Sequence, residues 1–371
     1  MIHSLKLDNF KRFSSFRCDL KRLTLLTGVN SGGKSSVIQS LLLLHSRTVS
    51  GDSLALNGPY GLSLGEASNV IHSGAELSDE VRLGLSTDDF EGEIRLHVPD
   101  NVPDGRATTL TVGHNSIPQN YVPAMLLNRR FTYLCAERLG PRDTFEIGSE
   151  VSEHLSVGYA GQFTAHVLTQ LERETVPALR LHPETENRGN GVATFKTQVR
   201  LWMSSLIGDI DFNASWVPET TTATLMFRGN DREWYSPNNV GFGISYVLPI
   251  VVAGLAAPVN NDPIFIVENP EAHLHPAAQS AIGSFLARIA GSGVQVIVET
   301  HSDHVLNGIR RAVAVDKVMS AGDVGIYYFD RNAEPVLLSV DEFGKVSSWP
   351  AGFFDQAEND LTDLARIRYH V

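Results

Sequence analysis

Two kinds of hydrophobic pattern run along this 371-residue chain. The first is the short continuous apolar run. Leu23 to Leu26 is mostly apolar and Ile264 to Val267 entirely so, and runs of this length, bounded by a glycine or an acid, predict strands buried on both faces of a parallel sheet. The second is alternation. Val81 to Leu85, Gly92 to Val98 and Thr108 to Val112 switch between apolar and polar positions, which predicts an antiparallel β lobe at about 75–130 beside the main sheet. Helical spacing appears in Ser36 to Leu44 and in Val305 to Ala314. It returns between about 145 and 207, where Leu155, Phe163, Val167, Leu168 and Leu171 recur around Gly and Pro breaks and predict a helical insertion. Gly51 to Gly74, rich in Gly, Ser and Asn, reads as a connecting loop. Asp211 to Asn213 and Thr222 to Phe227 read as strands, and Gly325 to Phe329 with Val336 to Leu338 as a hairpin. The elements add up to an α/β fold over 1–371 as a single domain: a mixed central sheet, flanking helices, a β lobe and the insertion.

Chemistry enters where the first apolar run stops. Gly28-Val29-Asn30-Ser31-Gly32-Gly33-Lys34-Ser35 fits the P-loop pattern without mismatch and lies between a predicted strand and a predicted helix. In such a loop backbone N–H groups face phosphates, Lys34 reaches the terminal ones and Ser35 offers its hydroxyl to magnesium, at the N-terminus of the following helix. Gly28, Asn30, Ser31, Gly32, Gly33, Lys34, Ser35 and Ser36 are therefore candidate ATP ligands. The run from Ile264 ends in Glu268, as a buried strand delivers a magnesium-ordering carboxylate to a sheet edge, so Ser35 and Glu268 are the candidate metal ligands. Between these motifs, Gly241-Phe242-Gly243-Ile244-Ser245 reads either as an ordinary turn or as a Gly-rich entry followed by Ser at a helix start, an anion site that adds Gly243 and Ser245.

With two later segments, Glu268-Asn269-Pro270-Glu271-Ala272-His273-Leu274-His275-Pro276 and Val296-Ile297-Val298-Glu299-Thr300-His301-Ser302-Asp303-His304, the chain resembles an ABC/SMC-type ATPase head of the OLD-like and RecF-like kind. The specific motifs cover about the first 45 and last 140 residues, and the centre matches in patches. The resemblance implies a P-loop NTPase fold, ATP and Mg²⁺ as cofactors, and a homodimer in which Ser245 of one subunit covers ATP held by the other. It also implies that His301 is a switch residue beside the terminal phosphate. It extends to Asn9-Phe10-Lys11-Arg12-Phe13, where Lys11 or Arg12 either touches ATP or is a solvated pair, and to Tyr133 through Arg142. One position departs from it: Asn269 stands where most such heads carry the Glu that polarises the attacking water. An amide orients water without taking its proton, so the base role passes to Glu271 or His301 or weakens, and hydrolysis is expected to be slow. The implied role is a switch ATPase in anti-phage defence or DNA maintenance, regulating a separately encoded nuclease or toxin. The alternatives are a non-hydrolysing ATP-bound scaffold that restrains a partner, and a RecF-like DNA clamp.

Composition narrows the class. A hydrophobic content of 42% supports a large core, and no apolar run reaches membrane-spanning length, Tyr246 to Ala257 being interrupted by Pro249 and Gly254. The N-terminus reads as a first strand and not as a signal peptide. Cys18 and Cys135 have neither zinc-site nor disulfide spacing and fit a reducing, cytoplasmic setting. His273 and His275 are explained by the resemblance as part of a dimer-facing loop and not as metal ligands. A net charge of −12 argues against a broadly basic nucleic-acid surface. Lys196 with Arg200 and the pair Arg129-Arg130 are local basic spots, and nucleic-acid binding stays open. About 70 residues follow His301, below the usual size of an added nuclease domain, and the tail acids Asp355, Glu358, Asp360 and Asp363 read as part of an amphipathic helix. Effector chemistry is therefore expected on another polypeptide.

Overall fold

A computed structural model describes residues 1–50, 52–102, 105–118, 130–148, 155–187, 193–229, 233–260 and 262–369. Among the described residues the strands form three sheets. The central one contains β3 (Leu23–Gly28), β8 (Phe131–Leu134), β13 (Ile264–Glu268), β14 (Gln295–Glu299), β15 (Val324–Phe329) and β16 (Val336–Ser339), in the order β16-β15-β3-β14-β13-β8. All are parallel except β16, which closes one edge against β15. The two apolar runs are thus parallel strands, as their lack of a polar face requires. The expected hairpin at 325–338 is present, and the other side of β15 pairs in parallel with β3, so this segment belongs to the main sheet.

The alternating segments make an antiparallel sheet of β1 (Ile2–Phe10), β2 (Phe13–Asp19), β4 (Ser53–Ala55), β5 (Val81–Thr87), β6 (Glu91–His97) and β7 (Thr109–Asn115), ordered β2-β1-β5-β6-β7-β4. The loop expected at 51–74 is more structured than its composition suggests, since β4 pairs with β7 and short 3₁₀ turns occupy Pro59–Gly61 and Ala67–Asn69. The third sheet joins β9 (Thr144–Glu146), β10 (Asp211–Val217), β11 (Thr222–Arg228) and β12 (Trp234–Tyr235). The described helices of eight residues or more are α1 (Lys34–Ser50), α2 (Thr164–Leu171), α3 (Phe195–Ile207), α4 (Phe242–Ala256), α5 (Pro276–Gly291), α6 (Asp303–Ala314) and α7 (Gln356–Tyr369). Among the described residues of the expected helical insertion, α2 and α3 are α-helical, with 3₁₀ turns at Ala178–Arg180 and Pro183–Asn187 where Pro interrupts the pattern; residues 149–154 and 188–192 of it lie outside the described residues.

Both faces of the central sheet are buried, and side chains alternate between two cores. Leu25, Val267 and Val298 share one core with Val251 of α4, Phe285 of α5 and Ile309 of α6. Leu26, Ile266 and Ile297 share the other with Val37 and Leu41 of α1 and with Leu5 and Leu83 of the antiparallel sheet. Helix α1 is therefore packed between two sheets, which is why Leu41, Leu42, Leu43 and Leu44 are all buried although they point around most of a helical turn. No described helix is long and apolar enough to cross a membrane.

Candidate nucleotide site

The parallel strands deliver their C-terminal ends to one edge, where an open α/β sheet places its ligand. β3 ends in Gly28, and the P-loop turns over the end of β15. Gly28 has φ +127°, and a Cβ there would lie 2.1 Å from the Phe329 carbonyl oxygen, so neither the backbone nor the space admits a side chain. The same carbonyl accepts the Val29 N–H at 3.0 Å. Arg12 secures the loop from the other side, donating to the carbonyls of Gly32 and Asp330 at 2.5 Å each and of Ala333 at 2.8 Å. Lys11 and Arg12 are not a solvated pair: Arg12 braces the P-loop backbone, and Lys11 donates to Gln39 Oε1 at 2.6 Å. Lys34 is buried, with Nζ donating to the carbonyls of Gly28 (3.0 Å) and Val29 (2.8 Å); burial lowers its pKa, and nearby Glu299 acts in the opposite direction.

Facing the loop is an acidic edge. Glu268 and Glu299 stand in register on β13 and β14, and Glu299 is level with Leu26 of β3. Glu268 uses both oxygens, accepting from Tyr133 Oη at 3.1 Å and from the Ala136 N–H at 3.1 Å. Glu299 accepts from Ser35 Oγ at 3.0 Å, and its other oxygen has no protein partner although the residue is only 7% exposed. Burial, reinforced by the charge of Glu268, pushes the Glu299 carboxyl up to about 7; Lys34 and Ser35 oppose this. Burial also raises Glu268, against its bonds to Ala136 and Tyr133.

The residue after Glu268 adopts φ +43°, a left-handed conformation that Asn tolerates better than most residues. Asn269 N–H donates to the Glu299 carbonyl at 2.8 Å, and its side-chain Oδ1 is buried without a partner. Glu271 accepts the His301 N–H on Oε1 at 2.8 Å, while Oε2 is buried and unpaired. His301 is held toward its neutral form first by burial and then by Lys34, with Glu271 opposing. Three buried acceptor oxygens at this edge, on Asn269, Glu271 and Glu299, thus lack a protein donor. A hard divalent cation with its water satisfies oxygen acceptors of this kind, so the donor set fits magnesium.

Arg138, 3% exposed, ties this edge to the rest of the fold. Its guanidinium donates to the carbonyls of Cys135 (2.9 Å), Glu268 (2.6 Å), Asn269 (2.7 Å) and Tyr246 (3.0 Å), the last inside α4. Helix α4 begins in the Gly-rich signature with Gly241 as its N-cap. Gly243 has no room for a Cβ, which would lie 2.8 Å from the His273 carbonyl, and Tyr246 packs its ring 4.5 Å from that of His273. The structure therefore groups Lys34, Ser35, Glu268, Asn269, Glu271 and His301 at one sheet edge. Gly243 and Ser245 sit instead on the neighbouring helix start, where Ser245 is 9% exposed and Phe242 57% exposed.

Glu299, Tyr133 and Arg138 are members of the site that motif reading passed over. Glu299 carried a signal, because it ends the apolar run Val296 to Val298 as Glu268 ends its own. Tyr133 and Arg138 lie in the segment to which the family resemblance extends, and local pattern gave neither of them a role. The remaining candidates have quieter surroundings. Lys196 pairs with Glu172 at 2.6 Å, and Arg129 lies outside the described residues. Asp355 accepts the Gly352 N–H at 2.9 Å, Asp363 pairs with Arg366 at 3.1 Å, and the Glu358 side chain lies outside the described residues. No group of three or more His, Cys, Asp and Glu among the described residues is arranged to hold a metal on its own, His273 and His275 included. Cys18 is fully buried, its thiol pushed up to about 12 by that burial.

Comparison with known proteins bears on the fold. Residues 165–307 match a family described as "AAA domain, putative AbiEii toxin, Type IV TA system", and residues 319–364 match the family "Protein of unknown function (DUF3696)". No curated protein matches the sequence. Among solved structures, an Smc head bound to the C-terminal winged-helix domain of ScpA superposes with a TM-score of 0.55 at 12% identity, covering 92% of this chain and 97% of its own. An Smc head with an extended coiled coil, bound to the C-terminal domain of ScpA derived from Pyrococcus furiosus, gives 0.55 at 12% identity over 99% of both chains. The P-loop lies outside both family matches and rests on its own geometry. The chain has the fold of an ABC/SMC-type ATPase head, and residues 165–307 resemble the AAA family.

Proposed function

We propose that this protein is an ATP-driven switch that binds MgATP at the P-loop edge, closes as a homodimer and hydrolyses slowly. The observation that carries the reading is the convergence of Lys34 and Ser35 with Glu268, Glu299, Glu271 and His301 at the end of one parallel sheet. Lys34 binds the terminal phosphates once released from the Gly28 and Val29 carbonyls. Ser35 and Glu268 would hold magnesium, and the ion would neutralise phosphate charge. Glu271 fixes the His301 backbone, and a neutral imidazole there accepts a hydrogen bond or a proton from water. With an amide at Asn269, hydrolysis is expected about 10²-fold below that of a head with a Glu in this position unless Glu271 or His301 compensates.

In the dimer, the α4 start of one subunit, with Gly243 and Ser245, covers the nucleotide of the other. ATP bridging two subunits shifts the equilibrium toward the closed form by its differential affinity for it. A separately encoded nuclease or toxin, in anti-phage defence or DNA maintenance, is the output we assign. The toxin–antitoxin wording of the AAA family and the partner-bound state of the Smc heads support it. We place the protein in the cytoplasm. Phosphate release with MgATP, measured beside particle mass, tests the reading. Turnover and ATP-dependent dimerisation that both vanish in Lys34→Ala support it, and turnover that survives Lys34→Ala overturns it.

The fixed backbone of Asn269 favours a second reading. Its N–H and carbonyl are held by Glu299 and Arg138, and its side chain supplies no base. On that reading ATP is a structural ligand of a scaffold. Tight ATP retention without phosphate release separates it from the first.

A further inference from the structure

We infer that Glu299, and not Glu268 alone, supplies the carboxylate that orders magnesium beside Ser35. The inference rests on the MgATP reading above and assigns the metal shell within it. Strand order is the first argument. β14 is bonded directly to β3, whereas β13 is one strand farther away, a step of about 4.8 Å. The acid at the end of β14 is therefore the nearer of the two to the P-loop.

Hydrogen bonding is the second argument. Ser35 Oγ, the hydroxyl that a P-loop gives to the metal, donates to Glu299 Oε1 at 3.0 Å. Glu268 is turned toward β8, where Tyr133 Oη and the Ala136 N–H occupy its two oxygens at 3.1 Å each. The third argument is the oxygen left over. Glu299 Oε2 is buried on a residue 7% exposed and has no partner. An acid kept only to anchor Ser35 needs one acceptor, and a second buried oxygen without a donor costs stability. Lys34 is the nearby cation, and its ammonium donates to Gly28 and Val29. A divalent ion at Ser35 gives Oε2 a partner and relieves the repulsion between the carboxylates in register.

The test separates metal binding from nucleotide binding and from turnover. Binding of the non-hydrolysable analogue AMP-PNP is titrated calorimetrically in EDTA and in Mg²⁺, and Mn²⁺ bound to the AMP-PNP complex is counted by electron paramagnetic resonance. Both are done on wild type, Glu299→Gln and Glu268→Gln, with melting curves confirming folding. In EDTA, Glu299→Gln is expected to bind AMP-PNP within about threefold of wild type, while its Mn²⁺ affinity falls by about tenfold or more. Glu268→Gln is expected to lose less. If Glu299→Gln keeps its Mn²⁺ affinity, or Glu268→Gln loses as much or more, the assignment is overturned. Should Glu299→Gln not fold, Glu299→Asp keeps the charge on a shorter arm, and Mn²⁺ affinity unchanged from wild type in that variant overturns it equally. Wild type that binds no AMP-PNP in EDTA or Mg²⁺ removes the MgATP reading and this inference with it. Wild type that binds AMP-PNP with no gain from metal removes the inference alone.

Discussion

The two walls of the nucleotide site are built on different principles. On one side, the P-loop is a single local segment: strand, turn and helix occupy consecutive residues from Leu23 onward, and its shape depends on glycines that no side chain can replace. The opposite wall is assembled from β8, β13, β14 and α4, which lie about a hundred residues or more from the P-loop in sequence, and Arg138 ties the ends of β8 and β13 to α4. A local wall is specified by a motif. A distributed wall is specified by packing, and it also connects the site to the helix that we propose reaches the partner subunit.

The largest expected effect lies on the local wall. In Gly28→Ala the new Cβ meets the Phe329 carbonyl oxygen at 2.1 Å, on a backbone that holds φ at +127°. Strain and overpacking together are expected to cost about 3 to 4 kcal/mol and to displace the loop, so thermal stability and AMP-PNP binding fall together. A variant that keeps its melting temperature within a degree or two would show that β15 yields, and the contrast between a rigid and a distributed wall would weaken.

Arg138→Met probes the distributed wall. It removes donors from four buried carbonyls while keeping much of the side-chain volume, and the loss is expected at about 3 kcal/mol. The more telling result concerns coupling. AMP-PNP binding is expected to survive, because Lys34 and Ser35 are untouched, whereas nucleotide-dependent dimerisation is expected to drop by about tenfold as α4 loses its tie to Glu268 and Asn269. Equal losses in binding and dimerisation would mean that Arg138 only stabilises the fold.

This division explains what was legible before the structure. Apolar runs ending at Gly28 and Glu268 located the P-loop and its facing acid, since buried parallel strands leave a short-range trace. The alternation at 81–112 located β5, β6 and β7 for the same reason. Glu299 was passed over because its strand ends in an acid that the neighbouring His301 motif overshadows, and only register shows it level with Glu268. Arg138 was legible only as part of the Tyr133–Arg142 resemblance and its role was not, because its four acceptors are carbonyls from three separate segments. The main-sheet role of β15 was equally hidden, since a parallel partner leaves no turn between the strands to read.

A smaller effect comes from pH. Glu299 titrates at about 7 in the folded protein against an ordinary value of 4.5, so the folded state holds its proton more tightly than the unfolded chain does. Its contribution is complete below pH 4.5 and is lost as pH rises through 7. Without nucleotide, wild type is expected to lose of the order of 2 kcal/mol between pH 5 and pH 8 relative to Glu299→Gln. Denaturant melts of both proteins across that range measure the difference. Parallel curves would mean that the carboxyl is solvated, and the acidic wall would then be no more charged than the surface.

The smallest effect lies elsewhere on the distributed wall. Asn269 lies at φ +43°, a conformation that Asp also adopts, so Asn269→Asp installs a carboxylate without altering the backbone that Arg138 and Glu299 hold. If slow hydrolysis follows from the missing base, the substitution is expected to raise phosphate release by about tenfold with AMP-PNP affinity nearly unchanged. The change also places a third acid beside Glu268 and Glu299, which makes metal dependence steeper at low Mg²⁺. Faster turnover assigns the brake to one side chain on the distributed wall. Unchanged turnover assigns the water to Glu271 and His301, whose mutual contact already lies at that edge, and Asn269 is then kept for its backbone conformation and not for its amide.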